Sequence, residues 1–219
     1  MRAPAKLYLA SSNPGKLSEF RALAHATDAG TLETQLELAP WFDSLAPFEE
    51  NAPTFAENAL GKALHYSRGG EGFVFADDSG LVVPALGGAP GVRSARYAGL
   101  TASSTERNAK LLDELRGKNG LERVAYFVCA IALVERGRAV AIVSARADGI
   151  ILQAPRGDGG FGYDPVFYFS DLGKSFAELS GDEKNLYSHR GKAFQRLLSL
   201  IGGELCHSSN EQQHRQEEG

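Results

Sequence analysis

Hydrophobic and polar positions along the chain follow two periods, and their order predicts a mixed α/β architecture. Lys6 to Ala10 is a short apolar run of buried-strand length. Ser11 to Gly15 is polar and carries Pro and Gly, a turn signal. From about Lys16, Leu17, Phe20, Leu23 and Ala24 recur at helical spacing. Strand, turn and helix in that order form a setting in which backbone N–H groups and a helix N-terminus can hold phosphate. The stretch from Glu33 to Glu49 shows no clear period.

Thr54-x-x-Glu57 is a capping-box pattern. It opens a predicted helix with Phe55, Ala59, Leu60, Ala63 and Leu64 as one apolar stripe, which leaves Glu57 and Lys62 off that stripe. Phe73 to Ala76 reads as a second buried strand, ended by Asp77-Asp78-Ser79-Gly80 and continued briefly from Leu81 to Pro84. Gly87 to Gly91 is a Gly/Pro loop, and Ser103-x-x-Glu106 is a second capping box, ahead of a helix bearing Asn108, Leu111, Leu112 and Leu115. Val124 to Glu135 and Ala139 to Ala147 are strong strand patterns joined by Arg136-Gly137-Arg138, so this pair is an antiparallel hairpin. A Gly-rich loop from Gly157 to Gly162 precedes a strand at Val166 to Phe169, and a helix follows from Gly191 to Ile201. The early strand–helix–strand order predicts parallel pairing, so the sheet is expected to be mixed. There is no internal repeat. Residues from about Ser208 to Gly219 are polar and rich in Gln and Glu, a composition that favours disorder.

Length changes the picture little: 219 residues suit one large domain or two tightly joined lobes. Hydrophobic residues at 43% suffice for a sizeable core. A net charge of -4 argues against a non-specific nucleic-acid binder, which needs a basic excess, but leaves room for a local basic pocket. The two cysteines, Cys129 in an apolar run and Cys206 in the polar tail, give no disulfide framework or zinc spacing. The longest apolar run, Val124 to Val134, is too short to span a bilayer, and the N-terminus carries no secretory segment. The expectation is a soluble cytoplasmic protein with no membrane partner.

Four polar clusters lie at the predicted element edges. Ser11, Ser12, Asn13, Pro14, Gly15 and Lys16 lack the glycine spacing of a Walker loop, yet their short side chains can turn N–H groups toward an anion, with Lys16 adding charge. Taken alone, they fit an ordinary helix N-terminus with a solvated Lys16 better than a phosphate seat. Asp77 and Asp78 are adjacent at the end of an apolar strand, so one can enter a site while the other braces the loop. A hard cation such as Mg²⁺ takes one or two carboxylates plus waters and phosphates; a plain Asp-Ser-Gly turn is the bland alternative. Glu49 and Glu50 could supply a second carboxylate or be a solvated pair, and Lys62 alone reads as a surface lysine. Phe161-Gly162-Tyr163-Asp164 could be core and turn, or an aromatic seat for a base. His189 and Arg190 stand before a helix and could meet a carbonyl or phosphate. No Ser-His-Asp order is persuasive, because Ser79 lacks a nucleophile elbow.

Together the clusters resemble the inosine triphosphatase family, the Ham1-like pyrophosphatases for non-standard purine nucleoside triphosphates. The most specific stretches are Phe75-Ala76-Asp77-Asp78-Ser79-Gly80-Leu81, Gly87 through Gly99, Phe161-Gly162-Tyr163-Asp164-Pro165 and Ser188-His189-Arg190-Gly191. The resemblance runs from Ala10 to about Leu198. It implies a long mixed β-sheet flanked by helices, in two lobes with a central cleft, over residues 1–205, with 206–219 as a disordered tail. It also implies hydrolysis of ITP, dITP and XTP to the monophosphate and pyrophosphate, Mg²⁺ as cofactor, and a homodimer.

By motif, Ser11 to Lys16 would cradle the triphosphate with Lys62. Glu50 and Asp78 would hold Mg²⁺, and Asp78 would accept the proton of the attacking water. Ser79, Phe161, Gly162, Tyr163, Asp164, Lys184, His189 and Arg190 would surround the substrate. The Ser11-Ser12 pair and Asn51 after Glu50 depart mildly from the family pattern. Two other readings remain at this stage: a Maf-like pyrophosphatase for modified nucleotides, and a nucleotide sensor without turnover.

Overall fold

The structure is a computed structural model that describes residues 5–27 and 34–202; the Cys206 position and the predicted disordered tail lie outside them. Seven strands form one sheet in the order β2-β1-β3-β4-β5-β6-β7. β1 (Ala5–Leu9) runs parallel to β2 (Thr34–Leu38) on one side and to β3 (Phe73–Val82) on the other. From β3 onward, β4 (Val124–Glu135), β5 (Arg138–Ile151), β6 (Phe167–Phe169) and β7 (Lys174–Ser175) are antiparallel. The mixed sheet is therefore as expected. The β4–β5 turn places Arg136 and Gly137 at φ 47 and 72, the left-handed pair that suits a two-residue hairpin.

Helices cover both faces. α1 (Pro14–Thr27) and α5 (residues 189–202) pack on one face, where Phe20 and Phe194 meet Phe75. α2 (Phe55–Tyr66) covers the other face through Ala59 and Ala63 against Ala76, Ala130 and Ala132. Small residues on both sides let the helix lie close to the sheet. α3 (Ser104–Glu114) and the β6–β7 region close a third core around Phe127, Phe167 and Phe176. Both predicted capping boxes place the first side chain on the fourth residue's N–H: Thr54 accepts from Glu57, and Ser103 from Glu106.

Four sequence expectations need correction. The stretch without a period contains β2, an edge strand whose hydrogen bonds to β1 supply what its own pattern lacks. A further helix, α4 (Gly181–Tyr187), was not expected; its seven residues are too few to show a period, though Ser180 and Glu183 form a capping box. Asp77 to Gly80 do not end a strand but lie inside β3, paired with Ile131 to Val128 of β4. They resemble an ending because parallel β1 stops at Leu9 opposite Phe75, which leaves that edge of β3 open from Asp77 on. Finally, Lys62 lies on the buried face of α2 with Asn58 and Tyr66, at successive i+4 positions, rather than off it.

Candidate active site

The open edge of β3 is the floor of a cavity of about 590 Å³. Its wall draws on every cluster singled out in the sequence. Among the described side chains named there as binding, only Gly15 is not part of the lining. Pro14 opens α1, and Gly15 lies beneath the ring of Phe161.

The loop after β1 is organised by its own side chains. Asn13 Oδ1 accepts from the N–H of Gly15 at 2.9 Å and of Lys16 at 3.3 Å, which caps α1. Ser11 Oγ accepts from Asn13 N–H at 3.2 Å. Lys16 is thereby set in the first turn of α1, with Nζ 2.8 Å from Asp77 Oδ2.

Alternation in β3 separates the two aspartates. Asp77 shares a face with Phe75, toward α1 and α5, and Asp78 shares a face with Ala76, toward α2. Asp77 is fully buried. Burial opposes its ionisation, but Lys16, Arg190 and Lys62 outweigh that and hold it well below the usual carboxylate range. Asp78 meets Asn58 Nδ2 at 2.9 Å and the N–H of Ser79 at 2.9 Å. Burial first, and the negative charge of Glu50 second, push it up to about 6. The two aspartates thus have opposite electrostatic characters one residue apart.

Lys62 Nζ donates to the Asp77 carbonyl at 2.6 Å and pairs with Glu50. Burial favours its neutral form, yet Asp77 and Glu50 keep it protonated. Glu50 belongs to a loop tied down by Arg96, whose Nη2 donates to the Glu50 carbonyl at 2.7 Å. Glu49 points elsewhere: it is exposed, accepts from Asn51 and does not line the cavity.

At the other end of the cavity, Asp164 Oδ2 accepts from Phe161 N–H at 2.8 Å and from Lys184 Nζ at 2.6 Å. Lys184 and Arg190 both lie over the Phe161 ring, at 4.8 and 5.4 Å from its centroid. Tyr163 is committed to the wall, where its hydroxyl donates to the Ser94 carbonyl at 2.9 Å. His189 and Arg190 are the first two residues of α5 rather than a segment preceding it. The His189 ring is buried and stacked on Phe127 at 4.7 Å, and its Nδ1 has no partner among the described residues. Gly191 is required next, since a Cβ there would collide with the Asn185 carbonyl of α4. Gly80 has a similar cause, because a Cβ would come within 2.6 Å of the Gly91 carbonyl.

A model of the Ham1 family matches residues 7–200. This chain belongs to the Ham1 family. The Ham1 relatives include the dITP/XTP pyrophosphatase of Geobacillus kaustophilus, 48% identical over 202 residues, covering 90% of this chain and 97% of that protein. The dITP/XTP pyrophosphatase of Gloeobacter violaceus is 49% identical over 198 residues, covering 88% of this chain and 92% of that protein. Among solved structures, a HAM1 protein from Coxiella burnetii superposes with a TM-score of 0.79 at 40% identity, covering 90% of this chain and 98% of that one.

Three residues of the site receive no role from the sequence alone. Asn58 bonds Asp78 and both backbone groups of Ala52; its position one turn before Lys62 on α2 was the available signal. Glu19, one turn after Lys16 on α1, pairs with Lys184 and Arg190. Arg107 lines the cavity and is anchored to the carbonyls of Ala95 and Ala102.

Proposed function

We propose that the chain hydrolyses non-standard purine nucleoside triphosphates, ITP, dITP and XTP, to the monophosphate and pyrophosphate. The observation that carries this reading is the pairing in one cavity of a carboxylate raised to about 6, Asp78, with a wall that includes Lys16, Lys62 and Lys184. A carboxyl of that character can take a proton from an attacking water near neutral pH. The names of the relatives, dITP/XTP pyrophosphatase, support the substrate class.

The roles follow from position. Lys16 and Lys62 draw the triphosphate chain onto the loop 11–16 and the open edge of β3. Phe161 offers a face for the purine ring, with Lys184 and Arg190 behind it. Ser79 is within reach of both halves, since its hydroxyl accepts from Arg190 Nη2 at 3.0 Å. His189 also lines the cavity, and a substrate that reached its buried Nδ1 would satisfy a polar group left without a partner among the described residues.

Glu50 and Asp78 fit a divalent cation by the chemistry of the donor set. They are two carboxylates close enough for one to raise the other's pKa, so a cation between them relieves a repulsion that the fold otherwise carries. Two carboxylates are enough for Mg²⁺, a metal that completes its shell with water and phosphate. When bound, Mg²⁺ would neutralise phosphate charge and acidify water. Asn58 would keep Asp78 aimed at the cavity meanwhile. We further read the protein as a cytoplasmic homodimer in which residues up to about 205 form one two-lobed unit. Among the described residues, no helix is long and apolar enough to cross a membrane.

The test is release of pyrophosphate from dITP, XTP and ITP against dATP and dGTP, with and without Mg²⁺. Equal rates on the standard nucleotides would sink the substrate assignment; release of single phosphates would sink the reaction.

A further inference from the structure

Glu19 does not line the cavity, yet it touches two residues that do. Its Oε1 is 2.6 Å from Lys184 Nζ, and its other oxygen pairs with Arg190. Both cations lie over Phe161. Glu19 is also on α1, one turn after Lys16, so the helix that carries a phosphate-binding lysine also carries the anion behind the base-side cations.

The contacts extend into a chain of alternating charge. Lys16 meets Asp77 at 2.8 Å, and Asp77 meets Arg190 Nε at 3.7 Å. Arg190 meets Glu19, Glu19 meets Lys184, and Lys184 meets Asp164 at 2.6 Å. That is three cations and three anions, so the network is neutral. Burial alone would raise Glu19, but Arg190 and Lys184 outweigh it and hold the carboxyl ionised. A polyphosphate reaching Lys16 competes with Asp77 for that lysine. Asp77 then depends more on Arg190, and Arg190 is held in place from the far side by Glu19. Without the Glu19 charge, Lys184 and Arg190 are two like charges sharing one aromatic face.

We propose that Glu19 is a positioning residue that couples occupancy of the phosphate seat to occupancy of the base seat, by fixing Lys184 and Arg190 from the helix that carries Lys16. The proposal rests on the assignment of those two seats above. Coupling between two ligands is reciprocal and measurable as one factor: the ratio of inosine dissociation constants without and with saturating inorganic tripolyphosphate, in Mg²⁺. Neither ligand requires turnover.

For the unaltered protein the factor should be about tenfold in favour of joint binding, within the usual range for coupled sites. In Glu19→Gln, which keeps size and removes the charge, it should fall toward one. A merely structural role would lower the melting temperature and weaken both ligands while leaving the factor intact, and that result overturns the proposal. So does a factor of one in the unaltered protein. Should Glu19→Gln not fold, Glu19→Asp, a methylene shorter with its charge kept, is read by the same factor. Turnover of ITP by the unaltered protein is measured alongside. Its absence counts against the proposed reaction, whereas an unchanged factor in an active enzyme counts against Glu19 alone.

Discussion

Asp77 and Asp78 are consecutive residues of β3 whose carboxylates lie on opposite faces of the sheet, Asp77 against Lys16 at 2.8 Å and Asp78 against Asn58 at 2.9 Å. Asp77 is the buried counter-ion of Lys16 and Arg190, while Asp78 faces the cavity with a raised pKa. Their substitutions should therefore fail in different ways. Asp78→Asn should fold normally and lose about 10²-fold or more in kcat, as for a positioned base. Asp77→Asn should lose roughly 3–5 kcal/mol of stability, because it leaves two cations without their buried partner. Urea unfolding and steady-state rates on both variants check this; a folded, stable Asp77→Asn or a near-normal Asp78→Asn would falsify the division of roles.

The same strand shows what was legible in the sequence. The apolar run Phe73 to Ala76, followed by two aspartates, marked the right place, and the alternation rule already put the two side chains on different faces. What it could not give was the length of β1. Only because β1 stops at Leu9 does the edge of β3 open beside Asp77, and that is a property of two strands at once. Lys62 was misjudged for a related reason. A lysine on a helix scores as polar, but Asp77 and Glu50 make its buried position favourable, and neither lies on its helix. Glu19 was invisible because its partners are more than 160 residues away in the sequence. The helices of α1 and α2 and the β4–β5 hairpin were legible because their periods and caps are local.

The lysines should read phosphate. Lys16 and Lys62 both line the cavity near the open edge of β3, Lys16 on the Asp77 carboxylate and Lys62 on the Asp77 carbonyl. Lys16→Ala and Lys62→Ala should weaken ITP far more than inosine or inosine monophosphate. Calorimetric titration of the three ligands decides it. A uniform loss across all three places the lysines in general support of the fold rather than against the outer phosphates.

Among the groups that make stability depend on pH, His189 and Asp78 contribute with opposite sign. The His189 pKa is well below its ordinary value, because burial, Arg190 and Lys184 all oppose its charge. The unfolded chain then binds more protons than the native one, so the His189 contribution is present above about pH 6.5 and is lost as pH falls below it. Asp78 acts the other way: raised to about 6 when folded, its contribution is full below its unfolded value and is lost as pH rises through 6. The two partly cancel between pH 4 and 6 in the unaltered protein, a window set roughly by the ordinary carboxylate and histidine values. Removing the histidine should expose the other term. His189→Phe, which keeps the stack on Phe127, should show smaller losses of unfolding free energy from pH 7.5 to about 5 than the parent. Parallel curves for the two proteins over that range would show that His189 titrates alike in both states.

Discrimination between keto and amino purines is the most specific expectation for the same residue. ITP carries a 6-keto oxygen where ATP carries an amine. His189 lines the cavity, and its buried Nδ1 has no partner among the described residues. Leaving such a group mispaired costs roughly 1–3 kcal/mol, so a base that satisfies it is favoured by about tenfold or more. His189→Ala should therefore narrow the ITP-to-ATP ratio of kcat/KM, and mainly by making ITP worse. Arg190→Ala is a less clean probe, since Arg190 also holds Asp77 and Glu19 and its loss unbalances the buried network. His189→Phe supplies the control, because it restores the ring stack on Phe127 but not the nitrogen. If His189→Phe recovers the melting temperature while the ITP-to-ATP ratio stays narrowed, the nitrogen reads the base. If it recovers the ratio as well, His189 acts only through its ring, and the reader of the 6-position has to be sought along Phe161 to Asp164.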